Sequence, residues 1–177
     1  MLGLMQDHPL LISSIFEHAV GNYGKQEIVS NTVEGGIHKY NYSSWGKRTK
    51  KLANAFKSLN LKQGDKVGTL AWNGYRHLEI YYATSCSGLI CHTLNPRLHP
   101  DQVSYIVNHA EDKVLCVDLN ILPLIEKASE NFKTVEALVI MTDEKNMVKP
   151  NIKDGIKVIC YEAVSYTHLR AHETASD

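Results

Sequence analysis

The stretch that decides the fold reads Gly64-Asp65-Lys66-Val67-Gly68-Thr69-Leu70-Ala71-Trp72-Asn73-Gly74. It is a short apolar run closed at both ends by turn residues, the pattern of a buried strand over 66–72. Downstream the pattern alternates: a helix over 75–87, a strand over 89–93, and the loop Leu94-Asn95-Pro96-Arg97-Leu98. Pro100 suits the first position of the next helix, where its missing N–H would have no acceptor anyway. Asp101 places negative charge near the positive end of that helix dipole. Val103, Ile106, Val107 and Ala110 form its apolar stripe. A third strand covers 113–117 and closes at Asp118, a third helix covers 122–131, and a fourth strand covers 136–141. The polar segment 142–155 leads to a fifth strand over 156–161. Strands apolar on both faces and joined by helices imply a parallel sheet covered on both sides, with right-handed crossovers. The expected fold class is therefore α/β, a doubly wound and mostly parallel sheet with flanking helices.

Upstream, a helical pattern from Ser44 puts Trp45, Leu52, Ala53, Phe56 and Leu59 near one face. Lys47, Arg48, Lys50, Lys51 and Lys57 take the rest, which reads as a solvated face rather than a nucleic-acid patch. Two short strands, 27–31 and 37–40, flank Glu34-Gly35-Gly36, where positive φ is cheap for glycine, so a β-hairpin is expected. An N-terminal helix over 10–22 places Leu11, Ile15, Phe16 and Ala19 on one face, with Gly24 at its end.

The 177 residues suit about one domain, and 44% apolar with 21% charged residues is a globular balance. Nineteen Lys and Arg oppose nineteen Asp and Glu, so no net field points to a nucleic-acid partner. The longest apolar run, Ala137-Leu138-Val139-Ile140-Met141, falls far short of the ~20 residues that span a bilayer. Residues 1–16 carry no basic leader, and Asp7, His8 and Pro9 interrupt their apolar stretch. A cytoplasmic, soluble chain with no transmembrane segment is expected. Cys86, Cys91, Cys116 and Cys160 form no C-x-x-C pair and read as free buried thiols. The cluster Cys86, Cys91, His92 matches no zinc spacing, so no metal site is expected.

Ligands of such sheets bind beyond the carboxyl ends of the strands. The polar residues there are Asn73, Asn95, Arg97, Asp118 and Asp143, and turn and capping chemistry would use the same residue types. Asn73, Asn95 and Arg97 are the candidate strand-end or interface residues. Pro96 biases Asn95 toward extended backbone, from which Arg97 can reach a carboxylate or a backbone carbonyl. No G-x-x-x-x-G-K-[ST], G-x-G-x-x-G or G-x-S-x-G occurs, so three common phosphate or nucleophile motifs are absent. The pair Tyr81-Tyr82 reads as helix packing. No catalytic, cofactor-binding or metal-ligating residue is assigned.

The order of segments carries more than any one of them. Gly64-Asp65-Lys66-Val67 through Asn73 resembles the "GD-basic-V…N" strand of adenylate-forming, AMP-binding acyl-CoA synthetases. Arg76-His77-Leu78-Glu79, then His92-Thr93-Leu94-Asn95-Pro96-Arg97-Leu98, then Tyr105-Ile106-Val107-Asn108-His109-Ala110-Glu111-Asp112-Lys113-Val114 and Asp118 follow in order. Together they are most similar to medium- and long-chain fatty acid–CoA ligases, over residues 10–163, with Tyr161-Glu162-Ala163 as the last matching element. The resemblance implies activation of a fatty acid by ATP, with Mg2+ assisting, to acyl-AMP and pyrophosphate. Coenzyme A then displaces AMP to form the thioester. It also implies a homodimer through this domain.

The family's Thr/Ser- and Gly-rich phosphate loop should come shortly after Tyr161, and it is absent. So are the later nucleotide- and acyl-binding segments and the C-terminal lysine domain. The expectation is an N-terminal fragment, 1–163, that binds no cofactor and is inactive alone. Residues 164–177 resemble translated adapter read-through, a non-native tail. The alternative is a non-catalytic α/β binding or dimerisation module. A third reading is an unrelated doubly wound enzyme working through Asn73, Asn95 and Arg97.

Overall fold

The computed structural model describes residues 3, 4 and 7–163. The expected tail at 164–177 lies outside the described residues. The chain forms α1 (Ile12–Asn22), then a hairpin of β1 (Glu27–Asn31) and β2 (Ile37–Asn41), then α2 (Tyr42–Ser58). Alternation follows through β3 (Lys66–Leu70), α3 (Tyr75–Ser85), β4 (Ile90–Thr93), α4 (Pro100–Ala110) and β5 (Asp112–Val117). It continues through α5 (Leu122–Ala128), β6 (Ala137–Ile140) and β7 (Lys157–Cys160). The sequence-derived α/β class holds: five parallel strands in the order β4-β3-β5-β6-β7, beside a small antiparallel hairpin.

Alternation along each strand divides the core in two. Leu70, Leu115, Val117, Leu138 and Ile140 face Val103 and Val107 of α4 and Leu122 and Ile125 of α5. Val67, Val114, Cys116 and Val139 face Leu52 and Phe56 of α2 and Ile80 and Ala83 of α3. Gly68 is forced at the centre of β3, since a Cβ there would lie 2.5 Å from Leu115 Cδ2 and 2.9 Å from the Asp112 carboxylate. The cap of α2 is the Asn41 side chain, which accepts from the Ser44 N–H at 2.9 Å. Pro100 does begin α4, and Gln102 Oε1 accepts from the His99 N–H at 3.1 Å to complete its cap.

From β3 the chain passes through α3 to β4 on one side, then through α4 back across to β5 on the other. The strand order therefore reverses between β3 and β5, which is where such sheets open a crevice.

Several expectations need correction. Leu11 and Ile15 of α1 are exposed, and Phe16 is the residue of that face that is buried, because the helix meets α2 and α3 along a narrow line. The helix expected over 122–131 is α-helical to Ala128 and then tightens into a 3-10 turn over Ser129–Asn131. Cys116 and Cys160 are buried and Cys91 is half-buried, but Cys86 is exposed at the C-cap of α3. Tyr82 packs edge-on to Trp45 at 4.8 Å, as helix packing requires, whereas Tyr81 is exposed. Arg48 departs furthest from expectation: it is not on a solvated face but inside a cluster of charged groups.

Candidate functional site

Arg48 sits on the side of α2 that turns toward α3, three residues after Trp45 and four before Leu52. Its guanidinium is held three ways. Nε donates to Glu79 Oε1 at 2.7 Å, while Nη1 and Nη2 donate to the two oxygens of Glu162 at 3.0 and 3.2 Å. Arg76, in the first turn of α3, donates through Nε to Glu162 Oε1 at 2.9 Å and through Nη1 to Glu34 Oε1 at 2.8 Å. That Nη1 also reaches the Met141 carbonyl at 3.0 Å, beyond the end of β6.

Glu34 comes from the hairpin turn and also accepts from Thr142 Oγ1 at 2.8 Å. The Tyr161 hydroxyl donates to Glu79 Oε2 at 2.7 Å, and the Tyr75 hydroxyl to Glu162 Oε1 at 3.0 Å. The Tyr75 ring lies under both guanidiniums, 5.5 and 4.9 Å from centroid to Cζ, and stacks on His38 at 3.7 Å. Hairpin, α2, α3 and the ends of β6 and β7 thus meet at one ion-paired centre.

A cleft of about 750 Å³ opens over it, lined by His38, Arg48, Tyr75, Arg76, Lys145 and Glu162 among others. Burial pushes the Glu162 carboxyl up, but the hydrogen bonds and charges of Arg48 and Arg76 outweigh it and hold the group below its usual range. Glu79 goes the other way: burial raises it against the opposing pull of Arg48 and Tyr161. Burial, with the charge of Arg48 next, lowers the His38 imidazole, so it is neutral at pH 7.

This centre is a structural clamp more than a catalytic constellation. Both guanidiniums are already committed to carboxylates, with Glu34, Glu79 and Glu162 opposing Arg48 and Arg76. That leaves no surplus positive charge for a triphosphate, so the cluster does not fit ATP as a phosphate cradle.

The sequence-derived candidates lie elsewhere. Asn73 is exposed beside a small pocket bounded by Thr32, Trp72 and Asp118. Asn95 Oδ1 accepts from the Arg97 N–H at 3.0 Å, an Asx turn in the loop after β4. The Arg97 guanidinium rests 6.0 Å from the Trp72 ring and, among the described residues, on no carboxylate. None of the three lines the cleft.

Asp143 acts as a turn residue, whereas Asp118 bridges the end of β5 to the end of β3. Asp118 Oδ2 accepts from the Trp72 N–H at 2.7 Å, and Asp143 Oδ1 accepts from the Asn146 N–H at 2.9 Å. His92 pairs with the buried Asp112 carboxylate at 2.9 Å. The sequence did carry a signal for Arg76 and Glu79. They stand at i and i+3 on the same stripe as Ile80 and Ala83, charged residues where a helix is otherwise apolar.

A doubly wound parallel sheet with a cleft beyond its strand ends is thus the class that fold and site define. The sequence matches the family of AMP-binding enzymes over residues 16–172, and the chain belongs to that family.

A 3-methylmercaptopropionyl-CoA ligase of Ruegeria lacuscaerulensis is 45% identical over 141 residues, covering 80% of this chain and 26% of that protein. A medium-chain-fatty-acid–CoA ligase of Ectopseudomonas oleovorans is 42% identical over the same length, with the same coverage. The fold matches an anthranilate CoA ligase solved with anthranoyl-AMP, at a TM-score of 0.73 and 21% identity, over 91% of this chain and 29% of that one. The chain therefore spans about a quarter of the length of the relatives it matches. Among the described residues no helix is long and apolar enough to cross a membrane.

Proposed function

We propose that this chain is the N-terminal scaffold of a fatty acid–CoA ligase. In full length such an enzyme activates a fatty acid with ATP to acyl-AMP and passes the acyl group to coenzyme A. The observation that carries this reading is 42–45% identity, over 141 residues, to two acid–CoA ligases. The chemistry is reasonable because a carboxylate is a poor electrophile until its oxygen becomes part of a leaving group. Mg2+ and hydrogen-bond donors offset the charge that shifts onto phosphate.

The contribution of these 163 residues is architectural: a sheet, a strand-end cleft and the clamp that fixes Glu162. Both arginines of the cleft are neutralised, and the sequence contains no Gly-rich phosphate loop. The chain alone is accordingly expected to be inactive, and homodimerisation through this domain belongs to the same reading. The test is fatty-acid-dependent pyrophosphate release by the 177-residue chain beside a version extended through a phosphate loop and C-terminal domain. Turnover by the extended protein alone is expected. Turnover by the short chain would refute the scaffold reading, and inactivity of both with every fatty acid would leave the non-catalytic module in its place.

A further inference from the structure

The hairpin stands apart from the main sheet. β1 pairs with β2, and neither joins the five-stranded ladder. Its turn is tied down through Glu34, which accepts from Arg76 Nη1 and Thr142 Oγ1 at 2.8 Å each. Its inner face is tied down through His38 and Tyr40, which share one side of β2. The His38 ring stacks on Tyr75 of α3 at 3.7 Å and meets Tyr40 edge-on at 4.8 Å. His38 also supplies the hairpin's part of the wall of the strand-end cleft.

That imidazole sits where it is poorly able to carry a charge. A charged ring needs an acceptor for each of its two N–H groups, and Nε2 is buried with no partner among the described residues. Arg48 of α2 and Arg76 of α3 face it with positive charge. Glu162, past β7, faces it with negative charge but already accepts from both arginines and from Tyr75. Burial keeps the Tyr40 and Tyr75 phenols neutral, and Asp143, Glu144 and Lys145 line the same cleft. Burial first, then Arg48, holds the docked ring below its ordinary 6.5, against the pull of Glu162.

We propose that the hairpin is an acid-released flap on the strand-end cleft, with His38 as its sensor. Above pH 6.5 the ring is neutral whether the hairpin is docked or lifted, and the contacts above keep it docked. Below that pH a lifted hairpin gives the ring to water and a proton, which the docked ring takes up only at a lower pH. A two-stranded hairpin is marginal by itself, so lifting also exposes its amides. The carboxylates do not imitate this. Glu162 is held below 4.5 and acts only in stronger acid, and Glu79, which burial raises, shifts stability in the opposite direction. His77 is lowered as well, but it bonds Thr69 of β3, so its titration loosens α3 against the sheet rather than the hairpin. The flap is independent of the ligase reading.

The experiment is amide hydrogen exchange of the 177-residue chain at pH 7.5 and 5.5, corrected for the intrinsic pH dependence of exchange. Protection in β1 and β2 should fall roughly three- to tenfold, the upper figure being what one proton at 6.5 supplies over that interval. Protection in β3 and β5 should change by less than about twofold. His38→Phe keeps an aromatic ring on Tyr75 and removes the proton site, so its hairpin should be equally protected at both pH values. Ring carbon shifts of His38 in the parent chain should titrate below 6.5. A ring titrating at or above 6.5 would overturn the proposal, and that measurement needs no variant if His38→Phe fails to fold. Equal hairpin protection at both pH values in the parent, a loss as large in β3 and β5 as in the hairpin, or a His38→Phe chain that keeps the fall would each overturn it too.

Discussion

Replacing Arg48 with Met keeps most of the side-chain volume and removes the charge at the centre of the clamp. Three N–H···O contacts vanish, one of 2.7 Å to Glu79 and two of 3.0 and 3.2 Å to Glu162. The side chain of Glu79 is 1% exposed and that of Arg48 is 20% exposed, so solvent cannot take over the lost interaction with Glu79. Glu162 keeps Arg76 and Tyr75, whereas Glu79 is left with the Tyr161 hydroxyl against an uncompensated charge. Removing one partner of a buried pair costs about 3–5 kcal/mol. At about 2–4 °C per kcal/mol for a chain of this size, the thermal midpoint should fall by roughly 6–20 °C.

Adding Glu79→Gln to the Arg48→Met chain removes the stranded charge and keeps a partner for Tyr161. The double variant should regain about 2 kcal/mol relative to the single one. Sign also matters. Burial already raises Glu79, so the folded state of the single variant takes up its proton before the unfolded state does. Its deficit should therefore shrink as pH falls toward the carboxylate range and grow as pH rises. Urea and thermal unfolding followed by circular dichroism, with the m-value as a check on two-state behaviour, measure all of this. A single variant within about 1 kcal/mol of the parent, or a double variant no more stable than the single one, would refute the clamp as a buried, mutually dependent unit.

Two further outcomes follow from the same geometry. Glu162 is held below its ordinary value of 4.5, so its contribution is present above that pH and lost as pH falls through the lower folded value; Glu162→Gln should flatten that acid limb in a stability-against-pH series. Gly68→Ala drives a methyl toward Leu115 and the Asp112 carboxylate, and should cost about 1–3 kcal/mol in urea unfolding, with an unchanged midpoint counting against close packing at the centre of the sheet.

The sheet was legible because its signals are local. Lys66–Leu70 is bounded by Gly64-Asp65 on one side and Asn73-Gly74 on the other, and the alternation of Val114, Leu115, Cys116 and Val117 divides between two faces as a covered strand requires. The loop and helix-start residues were legible for the same reason, since Asn95 accepts from the N–H two residues on and Pro100 opens α4. Leu11 and Ile15 were misplaced because periodicity shows that a helix has an apolar face, not that a neighbour is there to cover it. Cys86 was misplaced for a related reason: it lies at the C-cap of α3, where the face of the helix no longer fixes the direction of the side chain.

The clamp was hidden by a different kind of problem. Charged residues default to solvent, and five consecutive polar residues from Lys47 to Lys51 strengthen that default for Arg48. Its position said otherwise, since a residue three after the buried Trp45 and four before the buried Leu52 shares their face of the helix. What makes its burial tolerable is 114 residues away in sequence, at Glu162, and no local pattern reports a partner at that distance. The same separation explains what the clamp does. Glu162 lies two residues past the end of β7 and is tied to α2 through Arg48 and to α3 through Arg76 and Tyr75. Arg76 in turn pulls in the hairpin through Glu34, so the direction in which the chain leaves the sheet is set by residues laid down more than eighty positions earlier. The pairing is reciprocal. Without Glu162, Arg48 would keep Glu79 and Arg76 would keep Glu34, while the tie from the end of β7 to the helices would fall back on the Tyr161 hydroxyl held by Glu79. The charges therefore do for the strand ends what the two apolar layers do for the sheet: they make one body of segments that the sequence keeps apart.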